Sequence, residues 1–135
     1  MTFRFGKTSL DRLGTCHIDL QRLAMAAIES SPVDFAIACG HRGKEEQDAA
    51  YARGHSKVPW PNGKHNSTPS RAFDFVPFVN GMADWSAVDN FKTVAHHILM
   101  TADQMGVEVR WGGDWNMNGV EDEKWYDRPH IELKG

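Results

Sequence analysis

Two short segments hold side chains that can meet at one metal ion. The first runs from Lys64 to Phe75 and carries His65 and Asp74. The second, Asp127-Arg128-Pro129-His130-Ile131-Glu132, offers another imidazole with an acid three residues before it. Two imidazoles and one carboxylate, with a position left open for water, are the ligands a catalytic zinc needs. A nearby carboxylate is the base that an activated water needs. If Ala72 to Val76 is a strand, both Phe rings fall on one face and Asp74 falls on the other with Ala72 and Val76. An acid in so apolar a strand is costly unless it is paired or metal-bound. Pairing with Arg71 or another cation is the competing reading. His130 and Glu132 share one face of a closing strand and Ile131 and Leu133 the other, a pattern that a half-exposed edge strand also gives. Asp127 stands just outside that strand, where a turn at Arg128-Pro129 can aim its carboxylate at a bound water.

The other histidines carry less. His96 and His97 are neighbours in a helical segment and cannot share a face, so one belongs on the surface and one partly in the packing. His17 and His55 have no carboxylate at a telling spacing. His41, at a strand end before Arg42, can line a site without binding metal.

The elements that must position these residues follow from periodicity. Ile18 to Ile28 reads as an amphipathic helix with Asp19 as cap and a stripe of Leu20, Leu23, Ala24, Ala27 and Ile28. Val33 to Cys39 alternates as a strand stopped by Gly40. Lys44 to Arg53 is a polar helix ended by Gly54. His55 to Ser70, rich in Pro, Gly, Asn and Ser, is loop. Ala72 to Val79 is a strand, Asn80-Gly81 a hairpin turn, and Met82 to Asp84 a weak return strand. The longest helix, capped by Asp84 or Ser86, has a stripe of Val88, Phe91, Val94, Ala95, Ile98, Ala102 and Met105 and stops at Gly106. Val107 to Trp111 and Pro129 to Leu133 complete the strands, around a Gly/Asn/Asp-rich loop. Helices and strands do not alternate strictly, which predicts an α+β fold with a mostly antiparallel sheet flanked by helices.

A chain of 135 residues is one domain, 1–135, with enough length for a core of its own. Its 41% hydrophobic and 24% charged residues are those of an ordinary soluble protein. The net charge of -3 gives no electrostatic grip on nucleic acid or anionic lipid. No apolar run is long enough to span a bilayer, and Met1 to Lys7 lacks the apolar core of a secretory signal. Synthesis and residence in a cytoplasm are therefore expected. Cys16 and Cys39 have no zinc-knuckle spacing and are expected to be buried free thiols.

The two segments resemble those of the zinc peptidases that include D-alanyl-D-alanine dipeptidases, D,D-carboxypeptidases and, most closely, phage L-alanyl-D-glutamate endolysins. Ala72-Phe73-Asp74 and Asp127-Arg128-Pro129-His130 match the family's Ala-x-Asp and Glu/Asp-x-x-His motifs. Leu13 to Leu20, Asp34-Phe35 through Gly40-His41-Arg42 with Gln47, and Arg110 to Trp115 are similar to its other signatures in the same order, so the likeness covers nearly the whole chain. One departure is the interval between His65 and Asp74, longer than usual and holding Pro69 in place of a Gly; His55 is the fallback ligand.

The resemblance implies a Hedgehog/D,D-peptidase-like fold with His65, Asp74 and His130 as zinc ligands. Asp127 would be the general base, and Arg42 would polarise the scissile carbonyl and bind substrate. Gln47 would support the substrate or Arg42. It also implies a monomeric hydrolase of peptidoglycan that waits in a bacterial host cytoplasm and reaches the wall after a holin permeabilises the membrane, without inserting itself. The alternatives are a D,D-carboxypeptidase or dipeptidase, and a non-catalytic zinc-binding wall module. Separately, Asp114, Asn116 and Asn118 follow a calcium-loop spacing with Gly119 at the sixth position. Val120 and Asp122 would complete a regulatory calcium site, although Trp125 replaces the Glu expected at the twelfth position. A turn whose Asp and Asn cap their own backbone is the competing reading.

Overall fold

The computed structural model describes residues 2–115 and 127–135. Five strands form one antiparallel sheet in the order β1 (Phe35–Cys39), β2 (Ala72–Val79), β5 (His130–Leu133), β4 (Val109–Trp111), with β3 (Met82–Ala83) pairing only with β2. The helices are α1 (Lys7–Leu13), α2 (Ile18–Ser30), α3 (Lys44–Ala52) and α4 (Val88–Met105), and Lys64–Asn66 forms a 3₁₀ turn. The expected α+β architecture is the observed one.

Register divides the sheet into two unlike faces. Ile37 lies opposite Phe75, Phe73 opposite Ile131, Ile131 also opposite Trp111, and Leu133 opposite Val109. Because side chains alternate along each strand, these residues share one face, and all are buried in the core with the stripes of α2 and α4. The opposite face carries Asp74 directly across from His130, and Arg110 across from Glu132. One face thus supplies the hydrophobic stabilisation and the other is left for chemistry. The α2 stripe is buried as expected, and so is most of the α4 stripe; Val88 is exposed because it opens the helix beyond the sheet.

Several boundaries move for local reasons. His17, not Asp19, caps α2: its Nδ1 accepts the Asp19 backbone N–H at 3.1 Å. Neither Asp84 nor Ser86 caps α4, whose N-cap is Ala87; Asp84 instead accepts from the backbone and hydroxyl of Ser86 and orders the approach. Asn80 and Gly81 are consecutive left-handed residues at φ 54° and 78°, the geometry of a tight hairpin. Helix α1 was not expected, since its seven residues bury only Ser9 and Leu13 and give no stripe. Its role is to cover the outer edge of the sheet: Ser9 Oγ accepts the Ile37 N–H at 3.0 Å, and Arg12 donates to the Ile37 carbonyl at 3.1 Å. Strand β5 is not an edge strand. It lies between β2 and β4 with all four side chains buried. Both cysteines are free; Cys16 is buried, but Cys39 is only half-buried.

Phe75 is fully buried with its ring 6.0 Å from Phe35 and 5.6 Å from Phe91, so it ties β1, β2 and α4 together. Phe75→Ala is expected to cost about 3–5 kcal/mol in denaturant unfolding at fixed metal concentration, whereas exposed Met100→Ala should change stability by less than about 0.5 kcal/mol.

Candidate metal centre and active site

The polar face of the sheet gathers three side chains from distant parts of the chain. His65 Nε2 lies 3.1 Å from Asp74 Oδ1 and 3.2 Å from His130 Nδ1, and His130 Nδ1 lies 3.4 Å from Asp74 Oδ1. Cross-strand pairing places Asp74 and His130 side by side. His65 arrives from the 3₁₀ turn, whose chain is held against the loop after β1 by a hydrogen bond from the Arg42 N–H to the His65 carbonyl at 2.8 Å. The long interval before Asp74 is taken up by that turn and by a bend in which Ser67 donates to the Pro69 carbonyl. His55 is not part of the cluster; it is exposed and lines a cavity beside it.

The donor set fits a divalent metal. The Gly40 carbonyl, a pure acceptor, lies 2.7 Å from His65 Nδ1, so that nitrogen carries the proton. Glu132 Oε1 lies 2.8 Å from His130 Nε2 and fixes the other ring in the same way. Each neutral ring therefore turns a bare lone pair inward, where a carboxylate oxygen joins them. Three acceptors this close need a cation between them. A tetrahedral zinc with bonds of ~2.0–2.1 Å sets its ligands about 3.3 Å apart, and the three observed separations bracket that value. The outer contacts to Gly40 and Glu132 are those that orient metal-binding imidazoles.

The electrostatics point the same way. Burial opposes charge on His65, but Asp74, with smaller help from Cys39, pushes it up to about 10. Burial likewise opposes charge on His130, while hydrogen bonds to Asp74 and Glu132 raise it. Asp74, although buried, is held far below the usual carboxylate range by the two histidines. The triangle therefore demands positive charge, and a proton and a metal ion compete for it. Glu132 is held down at about 2 against its burial by hydrogen bonds from His130 and Arg110, the latter at 2.7 Å. Its role in fixing His130 was missed from sequence, although the His130-x-Glu132 spacing put both on one face.

Asp127 Oδ2 stands 3.8 Å from His130 Nδ1. Burial and the charge of Asp74 raise its carboxyl to about 6, against the opposing pull of His130, His65 and Arg42. Its backbone is pinned: the Asp127 N–H donates to the Gly112 carbonyl, and the Gly112 N–H donates to the His130 carbonyl, each at 2.8 Å. Trp111 Nε1 donates to the Arg128 carbonyl at 2.7 Å. A Cβ on Gly112 would run into the Asp127 backbone, so only glycine allows this approach.

Arg42 donates to Asp74 Oδ2 at 3.3 Å and to Gln47 Oε1 at 3.1 Å. The cation paired with Asp74 is thus Arg42; Arg71 reaches the Lys134 carbonyl instead. Gln47 is buried rather than on the helix surface. It accepts from Arg42 and Asn66 and donates to Ser56 and the Val58 carbonyl. Of the calcium reading, Asp114 is buried and its N–H donates to the Trp111 carbonyl, while Asn116, Asn118, Val120 and Asp122 lie outside the described residues. That reading rests on the sequence pattern alone.

Two cavities of about 820 and 700 Å³ flank the cluster and share Arg42 and Asp127 as common wall. The acid and the guanidinium therefore stand where the two cavities adjoin, next to the metal triangle.

Comparison with known proteins places this geometry. The family model described as phage L-alanyl-D-glutamate peptidase matches residues 1–134. The L-alanyl-D-glutamate peptidase of Escherichia phage T5 is 34% identical over 137 residues, covering 98% of this chain and 99% of the relative. The crystal structure of the Serratia marcescens L-Ala D-Glu endopeptidase ChiX superposes with a TM-score of 0.78 at 26% identity, over 97% of this chain and 90% of that one. A family match over almost the entire chain, with a relative matched end to end, means that this chain belongs to the phage L-alanyl-D-glutamate peptidase family.

Proposed function

We propose that this protein is a zinc-dependent endopeptidase that cuts the L-alanyl-D-glutamate bond in the stem peptide of bacterial peptidoglycan, as a phage endolysin. The observation that carries this reading is the convergence of His65 Nε2, Asp74 Oδ1 and His130 Nδ1 beside Asp127, in a chain of this peptidase family. When bound by those three ligands, zinc would supply Lewis-acid polarisation of the scissile carbonyl and a lowered pKa for water.

The protein's own groups do the rest. Asp127, a carboxylate at neutral pH, takes the proton of the attacking water and returns it to the departing amine. Arg42, held between Asp74 and Gln47 at the junction of the two chambers, donates to the carbonyl oxygen as negative charge grows on it. Gln47 is a positioning residue: its side chain bonds Asn66, Ser56 and the Val58 carbonyl, and its Oε1 fixes the Arg42 guanidinium. Glu132 positions His130 by holding its outer proton. No covalent intermediate is needed, because the nucleophile is water. In the cell the enzyme waits as a monomer in the host cytoplasm and reaches the wall through a holin pore.

Digestion of purified peptidoglycan tests the reading: new L-Ala C-termini and D-Glu N-termini are expected, whereas release of free D-Ala would assign the chain to carboxypeptidase chemistry. Asp127→Asn should lower kcat by about 10²–10⁴-fold while zinc stays bound. Glu132→Ala should act on the metal instead, weakening zinc about 10–100-fold in chelator competition. The pH profile follows from the raised carboxyl of Asp127. The base works only when ionised, so kcat/KM should rise with pH along a single acid limb. Zinc takes the place of the protons that His65 and His130 would otherwise hold, so the midpoint should stay near the value of about 6 set by burial and Asp74. A midpoint far from that, measured with zinc content constant, contradicts the assignment.

A further inference from the structure

The two chambers differ in charge. Among the described residues, and apart from the shared Arg42 and Asp127, the smaller is lined by Lys57, Lys64 and Arg110 against one acid, Glu132. The larger sets Glu45 and Glu46 against Arg53 and Arg128, and its Asp74 belongs to the metal cluster. Lys64 is spent on the chain end, with Nζ bonded to the carbonyls of Leu133 and Gly135 at 2.9 and 2.8 Å. Arg110 is placed differently. It projects from β4 on the polar face, with one Nη on Glu132, its guanidinium 5.6 Å from the centre of the Trp115 ring, and its side chain 41% exposed. A guanidinium offers five N–H donors in a rigid fork, and Glu132 takes one Nη of them in the structure.

Resting on the L-alanyl-D-glutamate reading above, substrate chemistry selects which half belongs here. A glutamyl residue on the amine side has two carboxyl groups. Whichever carries the rest of the peptide, the other remains beside the scissile bond as a carboxylate. The alanyl side has only a methyl. We infer that Arg110 is the specificity-determining residue for that glutamyl carboxylate. The substrate then runs with its glutamyl half in the basic chamber of Arg110 and its alanyl half in the larger one. Asp127, in the wall between them, stands where the amine leaves, which suits its task of returning the proton.

The test uses two acyl-L-Ala-D-Glu peptides extended through the same carboxyl, the other being free in one and amidated in the other. The wild-type enzyme is expected to prefer the free acid in kcat/KM by about ten-fold or more, the size of a lost charged hydrogen bond. Arg110→Gln should remove most of that preference. A merely structural role through Glu132 and His130 would lower both peptides equally, along with zinc content, and leave the ratio intact. Arg110→Lys keeps the charge and loses the fork, so it should retain only part of the ratio with zinc unchanged; it decides the matter if Arg110→Gln does not fold. A ratio near one in the wild type, or an undiminished ratio in whichever Arg110 variant folds, overturns the inference. Cleavage of neither peptide by the wild type would instead overturn the endopeptidase reading itself.

Discussion

The structure is organised around one electrostatic constraint: two imidazole nitrogens and a carboxylate oxygen, all acceptors when the rings are neutral, packed within hydrogen-bond distance on a buried sheet face. Such an arrangement is intolerable without a cation. Every neighbour keeps it that way. The Gly40 carbonyl and Glu132 hold the outer imidazole protons away from the centre, and Arg42 takes the outer oxygen of Asp74 and leaves the inner one. Each of these groups is in turn secured, Glu132 by Arg110 and Arg42 by Gln47. The site is a nested set of hydrogen bonds whose innermost valence is left for the metal.

A sheet can bear that constraint because its two faces have divided the work. The face towards α2 and α4 buries Phe73, Phe75, Ile131 and Trp111 and provides the cohesion that lets Asp74 and His130 stand opposite one another. Trp111, the last residue of β4, joins the core and also gives the indole N–H, and Gly112 just after the strand gives the carbonyl, that pin the Asp127 turn. Core and site are therefore coupled through single residues. The glycine at 112 matters for its missing side chain, which lets the backbone of Asp127 come close enough to aim an acid at the metal triangle.

Much of this was legible from residue order. Strand periodicity gave the faces of β2 and β5, and with them the shared side of His130 and Glu132. Helical periodicity gave the buried stripes of α2 and α4. What sequence could not give was the identity of partners. Asp74 meets Arg42 rather than Arg71, because the loop after β1 folds back over the sheet while Arg71 is drawn to the chain end. Gln47, on a helix of low hydrophobicity, reads as surface, yet four hydrogen bonds make its burial affordable. Helix α1 left no periodic signal, since its role is to satisfy strand-edge polar groups and not to bury a stripe. These are long-range facts, set by which segments happen to pack together.

The position of β5 carries a consequence for how the site comes into being. A short interior strand that carries His130 completes its ladders only when both β2 and β4 are paired with it. His130 faces Asp74 across the β2–β5 ladder, so the contacts that insert the strand are those that assemble the triangle. The group of His65, Asp74 and His130 could hold a metal ion, and binding there would add its free energy to the same pairing and link metal affinity to closure of the sheet. The apolar partners Phe73 and Ile131, opposed one position along, hold the register. A slip of one residue would exchange His130 for Ile131 at the site and bury an imidazole in the core. The hydrophobic face thus specifies the geometry of the catalytic one.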